Sequence, residues 1–298
     1  MANLEEQTPP TKKKTWRFVI ILIVLGLAVN LLLPQISNFT EAWSVVKTMT
    51  WWAVGLAALS EVISYLSYGY CIHAIVASRK QQLSVPKSTL IVMSATSVGL
   101  VAGGWVTLAG SIFSSVKRET GDNGTATISG LLPSMLLNMS IALIAIVGLV
   151  YLGIIGQLTN GQLVQYLIFL FLLMFITFGS LLVLVFPKFT YKVINWTLWH
   201  WNKIRKKPYD PQKTQEMLDN LIFSWKEMGR GNWRKPFLGA FCYTLFDLFA
   251  MYLIFVAAGY NIKLGVLFAS YGLPYLLAKI AFIFPGGIGV VEATMAAI

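Results

Sequence analysis

Residues 123–187 contain no charged side chain and no histidine. A transmembrane helix needs about 20 mostly apolar residues to cross the hydrocarbon core, so this stretch reads as two spans joined by a polar turn around Gly156 to Gly161. Uncharged runs also cover Phe18 to Thr40 and Ser88 to Val116, and the run after Lys235 is broken only by single charges. Soluble domains carry about 25% charged residues. Here the figure is 12%, with 56% hydrophobic. Too few polar residues exist to cover a globule of this size, which excludes a two-layer soluble domain. The expected fold class is all-α, a polytopic membrane helical bundle.

The net charge of +11 is concentrated beside the apolar runs. Lys12, Lys13, Lys14 and Arg17 precede the first, and 11 Lys/Arg against 4 Asp/Glu lie between Lys188 and Lys235. Basic clusters next to spans follow from the positive-inside rule and from anionic lipid headgroups. They point to membrane phospholipid as the partner rather than to nucleic acid. Cys71 and Cys242 sit inside apolar stretches and read as small core residues, with neither a disulfide nor a metal pair expected. His73 and His200 stand far apart with no ligand spacing around them, so no metal site and no cofactor are expected. The N-terminal run is long, and Leu33-Pro34-Gln35 offers no small-residue cleavage pattern, which favours a retained span over a signal peptide.

The membrane segments are expected at about Trp16 to Leu33, Trp51 to Val76, Leu90 to Phe113, Ile128 to Ile155, Leu163 to Phe186, Phe237 to Ala258, and Val266 to the end. Residues 1–15 form a cytoplasmic tail and residues 16–298 an integral membrane domain. Aromatics gather at the segment edges, as at Trp16, Trp51, Trp52, Tyr151 and Tyr260, where amphipathic rings meet headgroups. With the N-terminus inside, the loop bearing Arg79, Lys80 and Lys87 is also cytoplasmic. If Leu90 to Phe113 crossed once, Lys117, Arg118 and the basic segment Lys188 to Lys235 would all fall outside, against the rule. A segment that dips in and returns keeps every basic loop in the cytoplasm. Gly99, Gly103, Gly104 and Gly110, with Ser94, Thr96, Ser97 and Thr107, suit a broken helix turning near Gly103-Gly104. Non-helical backbone at membrane depth is tolerated where it lines a polar cavity.

A second glycine pair stands at Gly286-Gly287. It matches the first in little besides the pair itself, but the topology brings the two broken segments in from opposite faces. Opposed broken helices are how inverted-repeat transporters build a midplane site. Packing of small residues between helices is the alternative use of such glycines.

Four ionisable residues are stranded in apolar surroundings: Glu61, Asp247, Lys279 and Glu292. A charge at a helix centre costs about 2.5–3.5 kcal/mol on insertion scales, so these residues are expected to face a bundle interior or water. Glu61, Ser64, Tyr65 and Tyr68 fall on one helical face, as do Tyr243, Thr244 and Asp247. They either line a substrate path or pair with Lys279 or with hydroxyls to hold the bundle together. In Pro285-Gly286-Gly287-Ile288-Gly289, a proline and three glycines cannot form a strong helix interior. The freed backbone N–H groups make an anion-binding concavity, and phosphate is the obvious anion in a membrane.

Pro285-Gly286-Gly287-Ile288-Gly289-Val290-Val291-Glu292 resembles the Pro-Gly-Gly-hydrophobic-Gly-x-x-Glu block of the lysylphosphatidylglycerol synthase transmembrane family. The likeness extends, more loosely, to the Gly-rich third segment followed by Lys117-Arg118, the basic stretch before Pro236, and an Asp-bearing span ending at Ala258-Gly259. The resemblance implies a membrane region that flips aminoacylated phospholipids. It also implies that a separate C-terminal domain, where present, transfers lysine from its tRNA to phosphatidylglycerol. By resemblance Pro285, Gly286, Gly287, Gly289 and Glu292 would serve the substrate, and Asp247 with them. The longest soluble stretch, Lys188 to Lys235, is too short for a catalytic domain of usual size. No nucleophile elbow, Walker loop or metal motif occurs, so no catalytic residue is assigned. The chain stops within an apolar segment at Met295-Ala296-Ala297-Ile298 and reads as cut short.

The basic stretch has its own pattern. Tyr191, Ile194, Trp196, Leu198, Trp199 and Trp201 lead into Lys203, Arg205, Lys206 and Lys207. Asp210-Pro211 then offers an N-cap and first helical position, and Leu218, Leu221, Ile222, Trp225 and Met228 form an apolar stripe. A helix lying in the cytoplasmic interface fits this, either anchoring the protein or recruiting anionic lipid.

The leading expectation is a cell-membrane lipid translocase. A phospholipid phosphate would sit near the Pro285-to-Gly289 backbone and Lys279, between segments that turn at Gly103-Gly104 and Gly286-Gly287, while Glu61, Asp247 or Glu292 meets a cationic aminoacyl group. The alternatives are the membrane part of a phosphatidylglycerol lysyltransferase and a membrane scaffold for an envelope enzyme. The oligomeric state stays open, a homo-oligomer included.

Overall fold

A computed structural model describes residues 45–102, 104–156, 187–205 and 233–271, with scattered positions between 161 and 179 and between 212 and 223. Two compact units divide the chain, Met1–Met49 and Thr50–Ile298. Of the first unit only its end is described, a helical turn over residues 45–48 in which the Thr48 hydroxyl donates to the Val45 carbonyl at 2.9 Å. The expected span at Trp16 to Leu33 lies outside the described residues.

Every regular element described in the second unit is an α-helix: α1 Trp51–Ser78, α2 Val85–Ala102, α3 Gly104–Thr120, α4 Asn123–Ile154, α5 Pro187–Arg205, α6 Arg234–Ala257 and α7 Leu264–Ser270. Among the described residues, α4 and α6 are long and apolar enough to cross a membrane by themselves. At 1.5 Å per residue they reach about 48 and 36 Å, against a hydrocarbon core of about 30 Å.

The segment expected to turn back on itself does so. It forms two helices, α2 and α3, that pack on each other either side of residue 103. Lys87 in the first turn of α2 meets Glu119 in the last turn of α3 at 2.5 Å, so the two helices run antiparallel and both loops lie at one end. The arms are longer than the sequence suggested, starting at Val85 instead of Leu90 and ending at Thr120 instead of Phe113. Each arm is about 26 Å long, nearly the depth of the core. Pro86 falls in the first turn of α2, where a missing N–H removes no helical hydrogen bond.

The same end carries a firm helix junction. Gly121 adopts a left-handed φ of 71° and stops α3, a conformation that costs glycine little. Asp122 then caps α4, accepting from the Gly124 and Thr125 amides at 3.2 and 2.9 Å and from the Thr125 hydroxyl at 2.6 Å. Partial burial works to raise the Asp122 carboxyl. The Thr125 and Gly124 hydrogen bonds and the nearby Arg79 guanidinium outweigh it and hold the group below the usual carboxylate range. Arg79 closes the junction from the end of α1, 4.0 Å from Asp122.

Helices α1 and α6 form the longest contact and run antiparallel. The Thr50 amide donates to the Ala257 carbonyl at 2.9 Å, the Ser60 hydroxyl to Phe246 at 2.7 Å, and the Ser64 hydroxyl to Tyr243 at 3.1 Å. Farther along, Gly239 lies so close to α1 that a Cβ there would stand 2.7 Å from the Cys71 amide nitrogen. Gly69 approaches the Thr89 backbone on α2 in the same way, and Gly130 on α4 approaches the Ala109 carbonyl on α3. Two apolar clusters result. One joins α1 through Ile72 and Ile75 to Val92, Ile112 and Leu132, and the other joins Ile144 and Ala145 of α4 to Leu248 and Leu267.

The surface is inverted relative to a soluble protein. Ser60, Ser64, Ser129, Ser140 and Thr244 are buried, while Leu59, Val62 and Leu66 on α1, Leu245 and Phe249 on α6, and Val147 and Val150 on α4 are exposed. In water, apolar faces of this extent would drive association. Facing acyl chains they are solvated.

Candidate functional site

The polar hydrogen bonds between α1 and α6 set the register that makes the site. Ser60 is level with Phe246, which brings Glu61 on α1 beside Asp247 on α6. Both residues are half-buried and lie within about one turn of the middle of their helices. A third group joins from the end of α7, where the Tyr271 hydroxyl donates to Asp247 Oδ2. Tyr271 is itself almost wholly buried, at 2% exposure.

Tyrosines extend this polar layer along the helix pair. Tyr65 lies one turn from Glu61 on the same face of α1. The rings of Tyr68 and Tyr243 pack at 5.0 Å between centroids, inclined at 52°. The Tyr68 hydroxyl is enclosed and has no hydrogen-bond partner among the described residues. Leaving such a group unsatisfied costs about 1–3 kcal/mol, which makes it a place for water or a ligand atom. The interior near the middle of the helix pair thus holds two carboxyl groups and four phenols, with exposed leucines and valines outside.

Of the residues selected from sequence, the fold unites Glu61 and Asp247 and places Ser64, Tyr65, Tyr68 and Tyr243 around them. Gly104 opens α3. Gly103, Lys279, Pro285, Gly286, Gly287, Gly289 and Glu292 lie outside the described residues. Sequence reasoning missed Tyr271 and Ser60. Tyr271 stands in an apolar run and its partner is 24 positions away, so no local signal marked the pairing. Ser60 is one position before Glu61 and could have been found as the start of the Ser60, Ser64 stripe.

The basic stretch also differs in part from expectation. Its aromatic half is α5, where Lys203 lies 5.0 Å over the Trp199 ring. Beyond it, Leu218 and Ile222 are buried by protein, and Phe223 lies under the Arg79 guanidinium at 5.4 Å. That part of the apolar stripe therefore packs on the protein and not on the lipid surface. Lys206, Lys207, Asp210, Pro211, Leu221, Trp225 and Met228 lie outside the described residues.

A family model described as the lysylphosphatidylglycerol synthase TM region matches residues 17–298. The chain belongs to that family. It is accordingly a membrane protein, which accounts for the inverted surface and for helices of membrane-crossing length. Membership covers nearly the whole chain, including the segments outside the described residues. No curated protein and no solved structure matches the chain.

Proposed function

We propose that this member of the lysylphosphatidylglycerol synthase TM-region family moves a phospholipid with a cationic, aminoacylated headgroup between the leaflets of the cell membrane. The observation that carries this reading is the adjacency of Glu61 and Asp247 near the middle of two helices far apart in sequence, in the register set by the Ser60–Phe246 hydrogen bond. Burying two carboxyl groups in a membrane interior is costly unless they are paired or meet a cation. A bundle that needed only cohesion could use the apolar and small-residue contacts it already has along α1 and α6.

In this mechanism an ammonium group of the headgroup sits between the two carboxyls, with the Tyr271 hydroxyl holding Asp247 in place. The rings of Tyr68 and Tyr243 offer π-faces to the same cation. The phosphate is met by the backbone of Pro285 to Gly289 and by Lys279, while Glu292 supplies a further acidic contact. The acyl chains stay in lipid along the exposed apolar faces. The N-terminus and the basic loops lie in the cytoplasm.

Asp247→Asn and Glu61→Gln keep shape and remove charge. In cells that make an aminoacylated phospholipid, each variant is expected to accumulate in the membrane yet lower outer-leaflet exposure of that lipid at least tenfold, read with a membrane-impermeant amine reagent. Wild-type exposure from a stable Asp247→Asn protein would refute the assignment.

A further inference from the structure

We propose that Lys80, Lys117 and Arg118 form a binding site for the phosphate of an anionic phospholipid at one end of the bundle. The site is separate from the Glu61–Asp247 layer and needs no lipid movement through that layer.

The α1–α2 loop and the α3–α4 junction meet at this end, joined by the Arg79–Asp122 and Lys87–Glu119 ion pairs. Five basic residues, Arg79, Lys80, Lys87, Lys117 and Arg118, stand there against two acidic ones, Glu119 and Asp122. Arg79 and Lys87 engage both acids, which leaves three cations over. Lys80, Lys117 and Arg118 are all exposed, and none makes an ion pair among the described residues. Glu216 and Asp219 belong to the segment whose Phe223 lies under Arg79, and they are exposed and pair with none of the three. Like charges gathered without counter-charges repel one another, and a bound anion relieves that repulsion.

The backbone at Lys80 is a second, independent observation. Lys80 follows α1 with a φ of 58°, the one positive value at a non-glycine position among the described residues. Its amide donates to the Ala77 carbonyl at 3.0 Å and the Gln81 amide to the Val76 carbonyl at 3.3 Å, the hydrogen-bond pattern of a left-handed helix stop. Helices α3, α4 and α6 are followed by glycine at the corresponding turn, Gly121, Gly156 and Gly259, with φ of 71°, 65° and 83°. A side chain is unfavourable in this conformation because its Cβ crowds the following carbonyl oxygen. Glycine would therefore serve the α1 stop better. Lysine gives up stability there and adds an exposed ammonium group.

The surroundings select a lipid over a dissolved anion. One turn inward from Lys87, α2 presents Leu90 at 65% exposure and then Met93 at 47%, and Val106 on α3 is 61% exposed. A phospholipid matches both parts, with a phosphate for the cations and acyl chains for the apolar surface. Arg118 can hold two phosphate oxygens with its planar fork, while the lysines act as mobile point charges.

The test is thermal unfolding of the full chain in detergent, titrated with dioctanoyl phosphatidic acid, with dioctanoyl phosphatidylcholine and inorganic phosphate as comparisons. At about a hundred times its dissociation constant, phosphatidic acid should raise the wild-type melting temperature by roughly 5–11 °C. Neither comparison should match that rise. Lys117→Gln combined with Arg118→Gln should weaken the affinity about fivefold for each charge removed. Lys80→Gly should act in two opposite directions. It should raise the melting temperature without lipid by roughly 2–4 °C and still weaken the affinity about fivefold.

An equal rise with phosphatidylcholine would refute selection by charge. An equal rise with inorganic phosphate would make the ligand a dissolved anion and overturn the lipid assignment. Unchanged affinity in either variant would overturn the three-residue site and leave these cations as a topology signal. Lys80→Gly relieves backbone strain, so it decides the matter even if the double variant does not fold.

Discussion

Gly239→Ala tests whether the contact between α1 and α6 is set by backbone approach. An added Cβ would stand 2.7 Å from the Cys71 amide nitrogen and 2.9 Å from both the Cys71 Cα and the Ser67 carbonyl oxygen. These are backbone atoms, so no side chain can swing aside, and the helices must part by roughly 1 Å to reach the normal 3.5–4.0 Å contact. Overpacking of this kind costs about 1–3 kcal/mol. Alanine also improves helix propensity over glycine by about 1 kcal/mol, so the control matters. Gly55 and Gly110 are helical positions where a Cβ meets nothing within 4 Å. Gly55→Ala and Gly110→Ala should show the propensity gain alone.

The assay is thermal unfolding of the purified protein in detergent, followed by tryptophan fluorescence. At about 2–4 °C per kcal/mol for a chain of this size, Gly239→Ala should melt roughly 2–12 °C below Gly55→Ala. Gly239→Leu should fall further or fail to accumulate. If Gly239→Ala melts together with Gly55→Ala, the close approach does not hold the pair. The register that places Glu61 beside Asp247 would then need another source.

Three further outcomes are expected. Asp122 lies below the usual carboxylate range when folded, so its contribution is present above the unfolded value of about 3.9 and is lost as pH falls through the lower folded value. Asp122→Ala should cost about 0.5–2 kcal/mol at neutral pH by removing the α4 cap and should flatten stability against pH in that acid window; an unchanged acid transition would refute the cap's part in it. Single cysteines at Ser84 and Asn123, in a background lacking Cys71 and Cys242, should label from one face and a cysteine at Tyr260 from the other, and labelling of Ser84 and Asn123 from opposite faces would dismantle the α2–α3 hairpin. Replacing Lys203, Arg205, Lys206 and Lys207 with glutamine should weaken binding to anionic liposomes by about 1 kcal/mol per charge near the surface, less in high salt, and unchanged binding would leave these cations as a topology signal.

The class of this protein follows from its sequence because a bilayer leaves little choice. Uncharged runs of span length must satisfy their backbone hydrogen bonds internally, and that makes them helices. Charge asymmetry then decided the return of the segment around Gly103-Gly104, and the Lys87–Glu119 contact agrees. Glu61 and Asp247 stood out because an ionisable group in an apolar run is conspicuous. Their meeting was not legible. In a soluble helix the apolar stripe declares which face turns inward, but lipid and protein interior are about equally apolar. The pattern along α1 therefore does not name its partner. That choice rests on small residues and hydroxyls meeting across long separations: Gly239 against Cys71, Ser60 on the Phe246 carbonyl, Tyr271 on Asp247. Each depends on shape and distance between chain segments that no local periodicity connects, so the tertiary structure alone brought the two carboxyl groups together.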